Sequence, residues 1–163
     1  MKALYIIRHA KSSWDYPQLS DEERPLNEKG IKRSNKLGNF LKSKDVLPDI
    51  MISSHANRAF HTAQLIAKKI NFPEKNIIID RSIYSSSVDN IFSIIFGISD
   101  NYNSVIMIGH NPTFTNFSNY FLDDKIDNLP TSGMVYFEFE TDNWNEIITS
   151  TKLKNYLILP KEL

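Results

Sequence analysis

Apolar and polar residues alternate along this chain in blocks whose lengths distinguish strands from helices. Short apolar runs predict strands, and the first and fourth runs are apolar throughout, as in strands covered on both faces. The predicted strands comprise residues 4–7, 49–53, 77–79, 105–108, 134–139 and 147–153. A turn near residues 141–143 joins the last two, which are expected to pair with each other.

Between these strands, apolar residues recur at helical spacing, and capping residues mark the helix starts. The predicted helices are one from its cap Asn27 to about Lys42, one over residues 57–70, one capped by Ser86 or Ser87, and one capped by Asn111 with Pro112 as its first residue. The alternation predicts an α/β fold of three layers, α/β/α, with a mostly parallel sheet and an antiparallel edge strand. We expect a single domain over residues 1–163.

The amino-acid composition excludes several classes of function. The 163 residues include 19 basic and 19 acidic ones, so no overall charge favours nucleic acid or an anionic membrane. The chain has no cysteine, which excludes disulfides, thiolate nucleophiles and cysteine zinc sites. No carboxylate cluster suggests a metal site, and no apolar run is long enough for a signal peptide or a membrane span. We therefore expect a soluble, cytoplasmic protein, and a monomer.

The candidate chemistry lies just after the predicted strands. Arg8 and His9 follow the first strand, Arg58 follows the second by a few residues, and His110 and Asn111 follow the fourth. Ligands of open α/β sheets bind beyond the carboxyl ends of the strands, so these side chains are expected to converge. Two arginines, two histidines and helix amides would together bind an anion such as a phosphoryl group.

Each of these residues has a distinct expected role in phosphoryl transfer. His9, as a neutral imidazole on a rigid strand, would attack phosphorus and form a phosphohistidine intermediate that water then hydrolyses. Arg8 and Arg58 would neutralise the charge on the phosphoryl oxygens, and His110, if protonated, would donate to the same oxygens.

Five ordered motifs then give a resemblance that spans nearly the whole chain. They are Ile7-Arg8-His9-Ala10, which resembles an Arg-His-Gly motif, and residues 24–30, 53–63, 105–112 and 129–133. The sequence resembles the histidine phosphatase superfamily and, within it, the small SixA-type phosphohistidine phosphatases. The resemblance implies the fold of phosphoglycerate mutases and no metal or organic cofactor. It also implies that His9 is the nucleophile and that Arg8, Arg58 and His110 form its phosphate pocket. Asn111, which follows His110, is a further expected substrate contact.

One departure from the family bears on the substrate. Other branches carry a carboxylate general acid near the third strand, whereas here Asp80 ends that strand and no Glu follows. An alkoxide leaves poorly without a proton donor, but a P–N bond breaks more easily, which favours phosphohistidine as the substrate. Other candidates for the proton donor are Asp15, Asp21, Glu22 and His55.

Three functions are therefore open. The first is a phosphatase for phosphohistidine in a partner protein, the second is a phosphomonoesterase for a small phosphate ester, and the third is a non-catalytic module that binds phosphorylated ligands. Trp14 and Tyr16 either line the mouth of the pocket or pack in the core, and His61 is expected to be a surface histidine.

Overall fold

Six strands and four helices form the protein in the computed structural model, which describes residues 1–163. In chain order they are β1 (Lys2–Arg8), α1 (Glu28–Ser43), β2 (Ile50–Ser53), α2 (Asn57–Lys69), β3 (Ile78–Ile79), α3 (Val88–Phe96), β4 (Ser104–Gly109), α4 (Thr113–Phe121), β5 (Met134–Glu140) and β6 (Thr151–Ile158). The strands make one sheet in the order β3-β2-β4-β1-β5-β6. The first four strands in that order are parallel, and β5 and β6 each run antiparallel to the preceding strand.

Helices cover both faces of the sheet, because successive side chains of a strand point to opposite faces. Leu4 and Ile6 of β1 pack in one core with residues of α3 and α4. Tyr5 and Ile7 pack in a second core with residues of α1 and α2. The predicted three-layer α/β/α sandwich with an antiparallel edge is therefore confirmed. None of the helices combines the length and the apolar character that crossing a membrane would require.

Side-chain caps begin two of the helices where the sequence predicts them. The Asn27 carboxamide oxygen accepts a hydrogen bond from the Gly30 amide at 2.8 Å, and the Ser87 hydroxyl oxygen accepts one from the Asn90 amide at 3.1 Å. Gly30 also lets α1 approach the loop after β1. A Cβ atom at this position would lie 2.1 Å from the carbonyl oxygen of Lys11. This contact fixes α1 against the loop that carries His9.

Gly30→Ala is expected to lower the free energy of unfolding by about 1–3 kcal/mol, because the added methyl group meets backbone that no rotamer change can move. Chemical denaturation of both proteins measures the difference. Gly97→Ala is the matched control, since a Cβ atom there meets its nearest neighbours at 3.5 Å, an ordinary contact distance. Equal stabilities for the native protein and Gly30→Ala would contradict the packing described.

Several predicted boundaries differ from the structure, and three of the differences concern the last strand, the fourth helix and the third strand. The last strand begins at Thr151 rather than at residue 147, because Trp144 and Ile147 are buried in and beside a short 3₁₀ turn, Trp144–Glu146. The fourth helix begins at Thr113 rather than at Pro112, and the Asn111–Pro112 peptide bond is cis. The third strand is only two residues long and its side chains are exposed, as suits the end of the sheet.

Candidate active site

The three candidate segments converge at one edge of the sheet, because β2, β4 and β1 are neighbours and parallel. The segments that follow these strands line a cavity of about 380 Å³. The residues that line it are Arg8, His9, Lys11, Ser12, Trp14, Arg24, Arg33, Arg58, His110, Asn111 and Thr131. All five site residues predicted from the sequence are among them, so the structure brings the predicted set together.

His9 is held in one tautomer by the backbone. Its Nδ1 atom lies 2.7 Å from the carbonyl oxygen of Ala10, which can only accept, so Nδ1 carries the proton and Nε2 carries the lone pair. The Ala10 amide in turn donates to the Thr62 hydroxyl at 2.9 Å. Burial, and to a lesser degree the arginines nearby, lower the pKa of His9 to about 4. Its imidazole is therefore neutral at pH 7 and can act as a nucleophile.

His110 packs beside His9, with 5.1 Å between the ring centroids. Its Nε2 atom lies 2.8 Å from the Ser54 hydroxyl at the end of β2, and its Nδ1 atom is buried without a partner in the protein. Burial lowers the pKa of His110 to about 3, with smaller contributions from His9, which is charged only in acid, and from Arg58. The sequence raised the prospect of a protonated His110. The structure instead gives a neutral ring at pH 7, which can donate only through its single N–H group.

The two predicted arginines both line the cavity, one from the end of β1 and one from the first turn of α2. Arg8 donates to the Leu129 carbonyl at 3.0 Å, and burial together with repulsion from Arg58 lowers the pKa of its guanidinium. Arg58 directs its Nε–H towards Nε2 of His9 at 3.4 Å. A phosphoryl group at Nε2 of His9 would therefore lie beside the guanidinium of Arg58, in a cavity that the guanidinium of Arg8 also lines.

Asp21 fixes the orientation of two cavity arginines. Its carboxylate accepts from Arg58 Nη2 at 2.9 Å, from Arg24 Nη1 at 3.0 Å and from the Tyr84 hydroxyl. These hydrogen bonds, led by the one from Tyr84, hold the pKa of Asp21 well below its usual range. The sequence left Asp21 open as a proton donor. An ionised carboxylate that already accepts three hydrogen bonds is instead a positioning residue for Arg58.

Asp21→Asn is expected to reduce kcat/KM by about 10- to 100-fold, because Arg58 and Arg24 lose the charge that orients them. The loss should be the same for aryl and alkyl phosphates. A general acid would instead matter far more for the poorer alkoxide leaving group. Steady-state kinetics with both substrates measure this, and Asp15→Asn, which removes a carboxylate without an ion pair, is the control. A loss confined to the alkyl phosphate would contradict the positioning role.

The remaining candidates for the proton donor also lie outside the cavity wall. Glu22 pairs with His55 at 3.0 Å, Asp80 accepts from the Ser82 amide at 2.9 Å, and Asp15 lines a separate groove. No carboxylate is among the residues that line the cavity. The carboxylates named from the sequence are therefore engaged with other residues or line other parts of the surface.

Several lining residues were not identified as site residues from the sequence. Arg24 donates to Ser12 Oγ at 2.6 Å and to the Ser13 carbonyl at 3.2 Å, and its guanidinium stacks 3.3 Å from the ring centroid of Trp14. Trp14 is 78% exposed, so it lies at the mouth of the cavity and not in the core. Arg24 could have been found, because it falls in one of the five motifs.

Other residues lie outside the cavity or reach it unexpectedly. Lys11 and Arg33 both line the cavity. Lys11 directly follows the first motif along the chain, so its position near the cavity could have been predicted. Arg33 lies in the second turn of α1, and no motif in the sequence predicts that it reaches the cavity. Tyr16 and His61 line separate surface grooves and do not reach the cavity.

The two buried histidines predict a pH-dependent stability. Their pKa values are about 4 and about 3 in the folded protein, against an ordinary value of about 6.5. Below pH 6.5 the unfolded chain therefore binds more protons, and the free energy of unfolding should fall as the pH drops towards 3. Side-chain NMR titration of the histidines tests the two values directly. A His9 or His110 titration midpoint near 6.5 would contradict the buried, neutral site.

Comparisons with known proteins agree with this geometry. The sequence model of the histidine phosphatase superfamily (branch 1) matches residues 4–83, which include His9 and Arg58. An uncharacterized chloroplastic protein of Arabidopsis thaliana is 33% identical over 118 residues, which are 68% of this chain and 54% of that protein. The chain thus spans about half the length of this curated relative.

Solved structures give the same fold over almost the whole chain. A candidate phosphohistidine phosphatase SixA from Agrobacterium tumefaciens has a TM-score of 0.80 at 23% identity, covering 95% of this chain and 97% of that one. The protein histidine phosphatase SixA complexed with tungstate has a TM-score of 0.82 at 20% identity, covering 98% of each chain. The family match and the shared fold agree with the motifs and with the convergence of His9, Arg58 and His110. The chain therefore belongs to the histidine phosphatase superfamily.

Proposed function

We propose that this protein is a metal-independent phosphatase that forms a phosphohistidine intermediate on His9 and that it dephosphorylates phosphohistidine in a partner protein. The observation that carries the proposal is the make-up of the cavity wall. A neutral, oriented imidazole stands among five cationic side chains, and no carboxylate lines the cavity. This wall has a nucleophile and groups that stabilise phosphoryl charge, but it lacks a carboxylate proton donor.

The first half of the reaction forms the phosphoenzyme. The lone pair on Nε2 of His9 attacks phosphorus, and the bond from phosphorus to the departing nitrogen of the substrate imidazole breaks. That nitrogen keeps the bonding electron pair and takes a proton from water. Arg8, Arg58 and the N–H group of His110 bind the three phosphoryl oxygens, where they stabilise the charge of the transition state.

The second half regenerates the enzyme. Water attacks phosphorus on the side opposite His9, the P–Nε2 bond breaks, and inorganic phosphate leaves. The bonding electrons return to Nε2, and the Ala10 carbonyl keeps the proton on Nδ1 throughout. His9 therefore returns to the tautomer in which it started, ready for another substrate.

The preference for a P–N substrate follows from the leaving group. General acid catalysis of an alkoxide departure is typically worth about 10²–10⁴-fold, and this cavity wall supplies no carboxylic acid for it. An imidazole leaves phosphorus more easily than an alkoxide does, so the same cavity wall suffices to cleave a P–N bond. The likeness to a SixA described as a protein histidine phosphatase supports this substrate. The complex of that SixA with tungstate, a tetrahedral oxyanion, supports a phosphoryl site but does not distinguish the leaving group. Exposed Trp14 at the cavity mouth would contact a residue presented by another protein.

Two peptides of identical sequence test the substrate, one with phosphohistidine and one with phosphoserine at the same position. Turnover is measured with EDTA present, with His9→Asn as control and with correction for spontaneous P–N hydrolysis. We expect a preference for phosphohistidine of at least about 10²-fold, the lower end of what a missing acid costs an ester. Comparable turnover of the phosphoserine peptide would reject phosphohistidine as the preferred substrate. Absence of any turnover, with phosphate binding unchanged in His9→Asn, would favour a binding module.

A further inference from the structure

The cavity holds more positive charge than one phosphoryl group uses. Arg8, Arg58 and His110 suffice for the phosphoryl oxygens, and Arg24 is already bonded to Ser12, Ser13 and Asp21. Lys11 and Arg33 line the same cavity, yet neither side chain makes a hydrogen bond or an ion pair within the protein. Two cations without partners, in a cavity without carboxylates, create a positive potential that the phosphoryl group alone does not explain.

We propose that Lys11 and Arg33 form a second anion site in this cavity, which binds a further anionic group, carboxylate or phosphate, of the same substrate. The inference rests on the proposed function only for the position of the first group at His9. It adds that the substrate is recognised by two negative groups. An acidic side chain beside the phosphohistidine of a protein would supply the second group, as would a second phosphate of a small molecule.

The backbones that carry these two cations are fixed against each other. The carbonyl oxygen of Lys11 accepts the Asn27 amide at 3.0 Å, and Gly30 packs directly against the same carbonyl group. Arg33 lies three residues after Gly30, on the same side of α1. A ligand would therefore order only the side chains of the pair, since the loop and the helix are already in place.

Arg33 also suits recognition of an oxyanion. Its guanidinium presents a planar fork of donors that matches carboxylate and phosphate, whereas Lys11 contributes a mobile point charge. Arg33 is partly buried and Lys11 is exposed, so the pair extends from the cavity wall to the solvent. Arg33 further lines an adjoining groove with Lys161. Lys161 does not reach the cavity, which makes it a matched control for the effect of general positive charge.

Binding of inorganic phosphate, pyrophosphate and tripolyphosphate tests the second site without requiring any turnover. Calorimetry at constant ionic strength compares the native protein with Lys11→Gln, Arg33→Gln and the control Lys161→Gln. In the native protein we expect at least one of the longer anions to bind about tenfold more tightly than phosphate, since it reaches both sites. Lys11→Gln and Arg33→Gln should each lose most of that advantage, while their affinity for phosphate changes less than about threefold. Lys161→Gln should keep the advantage.

Two results would overturn the second site. One is that both longer anions bind no more tightly than phosphate to the native protein. The other is that their advantage survives in both cavity variants or is lost equally in Lys161→Gln, which would indicate general charge attraction. Neither result depends on the identity of the phosphorylated substrate, so this proposal and the proposed function can fail separately.

The source of the second group is tested with substrates. Phosphohistidine peptides with Asp or Asn beside the phosphorylated residue are compared by kcat/KM, alongside small monophosphates and bisphosphates of one carbon skeleton. An Asp advantage that disappears in Arg33→Gln assigns the site to a protein substrate, and a bisphosphate advantage that disappears assigns it to a small molecule. If neither advantage exists in the native protein, the second site does not serve substrate recognition and the inference is wrong.

Discussion

His9→Asn is expected to reduce turnover by on the order of 10⁴–10⁶-fold, the range seen when a catalytic nucleophile is removed. In the structure Nε2 of His9 carries the lone pair and faces the guanidinium of Arg58, because the Ala10 carbonyl holds the proton on Nδ1. Asparagine is close in size and polar, but its amide nitrogen has no available lone pair. The variant should therefore fold and bind phosphate, and yet fail to form the phosphoenzyme.

The same variant has a second expected effect, on stability in acid. The pKa of His9 is about 4 in the folded protein, so the histidine favours the unfolded chain between pH 6.5 and 4. His9→Asn should lose less stability than the native protein over that range, and denaturation at pH 7 and pH 4.5 measures the difference. The turnover prediction has its own contradicting outcome. If His9→Asn turned over substrate within about tenfold of the native rate, His9 would not be the nucleophile.

Arg58→Gln is expected to reduce kcat by on the order of 10²–10³-fold, as when one donor to a developing oxyanion is removed. Arg58 is buried, is oriented by Asp21, and its Nε atom lies 3.4 Å from Nε2 of His9. Its charge also helps to lower the pKa of His9, although burial is the larger cause. The variant should therefore raise the pKa of His9 as well as slow turnover.

Kinetics and NMR titration of Arg58→Gln, beside Arg58→Lys, test both effects. Lysine keeps the charge but loses the planar fork, so it should restore the depressed pKa of His9 better than it restores turnover. An effect on KM alone, with kcat unchanged, would show that Arg58 binds the substrate without stabilising the transition state.

The sequence was sufficient to place most of this site because its residues follow strands. In a parallel sheet the carboxyl ends of neighbouring strands meet, so Arg8, His9 and His110 had to lie at one edge once β1 and β4 were recognised. Arg58 follows the same logic from the first turn of α2. The helix caps at Asn27 and Ser87 could also be predicted from local sequence, because each side chain accepts a hydrogen bond from the amide three residues later in the chain.

Features that depend on packing between distant parts of the chain could not be predicted from the sequence. Arg33 reaches the cavity only because α1 packs closely on the loop at Lys11, through Gly30. Asp21 could not be distinguished from a proton donor until its bonds to Arg58 and Tyr84 were known. The neutral ring of His110 likewise depends on burial, which lowers its pKa and cannot be determined from the sequence alone.

The late part of the chain shows the same limit. Residues 147–153 have the composition of a strand, but Ile147 is buried with Trp144 in the core shared with α3 and α4. The strand β6 therefore starts four residues later than expected, at Thr151. A local pattern of apolar residues fits both arrangements, and only the packing of a large indole selects one of them.

The most direct test is to trap the phosphoenzyme. The protein is mixed with a phosphohistidine peptide carrying labelled phosphate, quenched in alkali within milliseconds, digested and mapped, with His9→Asn in parallel. We predict one labelled site, His9, with phosphate on Nε2, since Nδ1 is bonded to the Ala10 carbonyl. Label on another residue, label on Nδ1, or full phosphate release by His9→Asn would contradict phosphoryl transfer through His9.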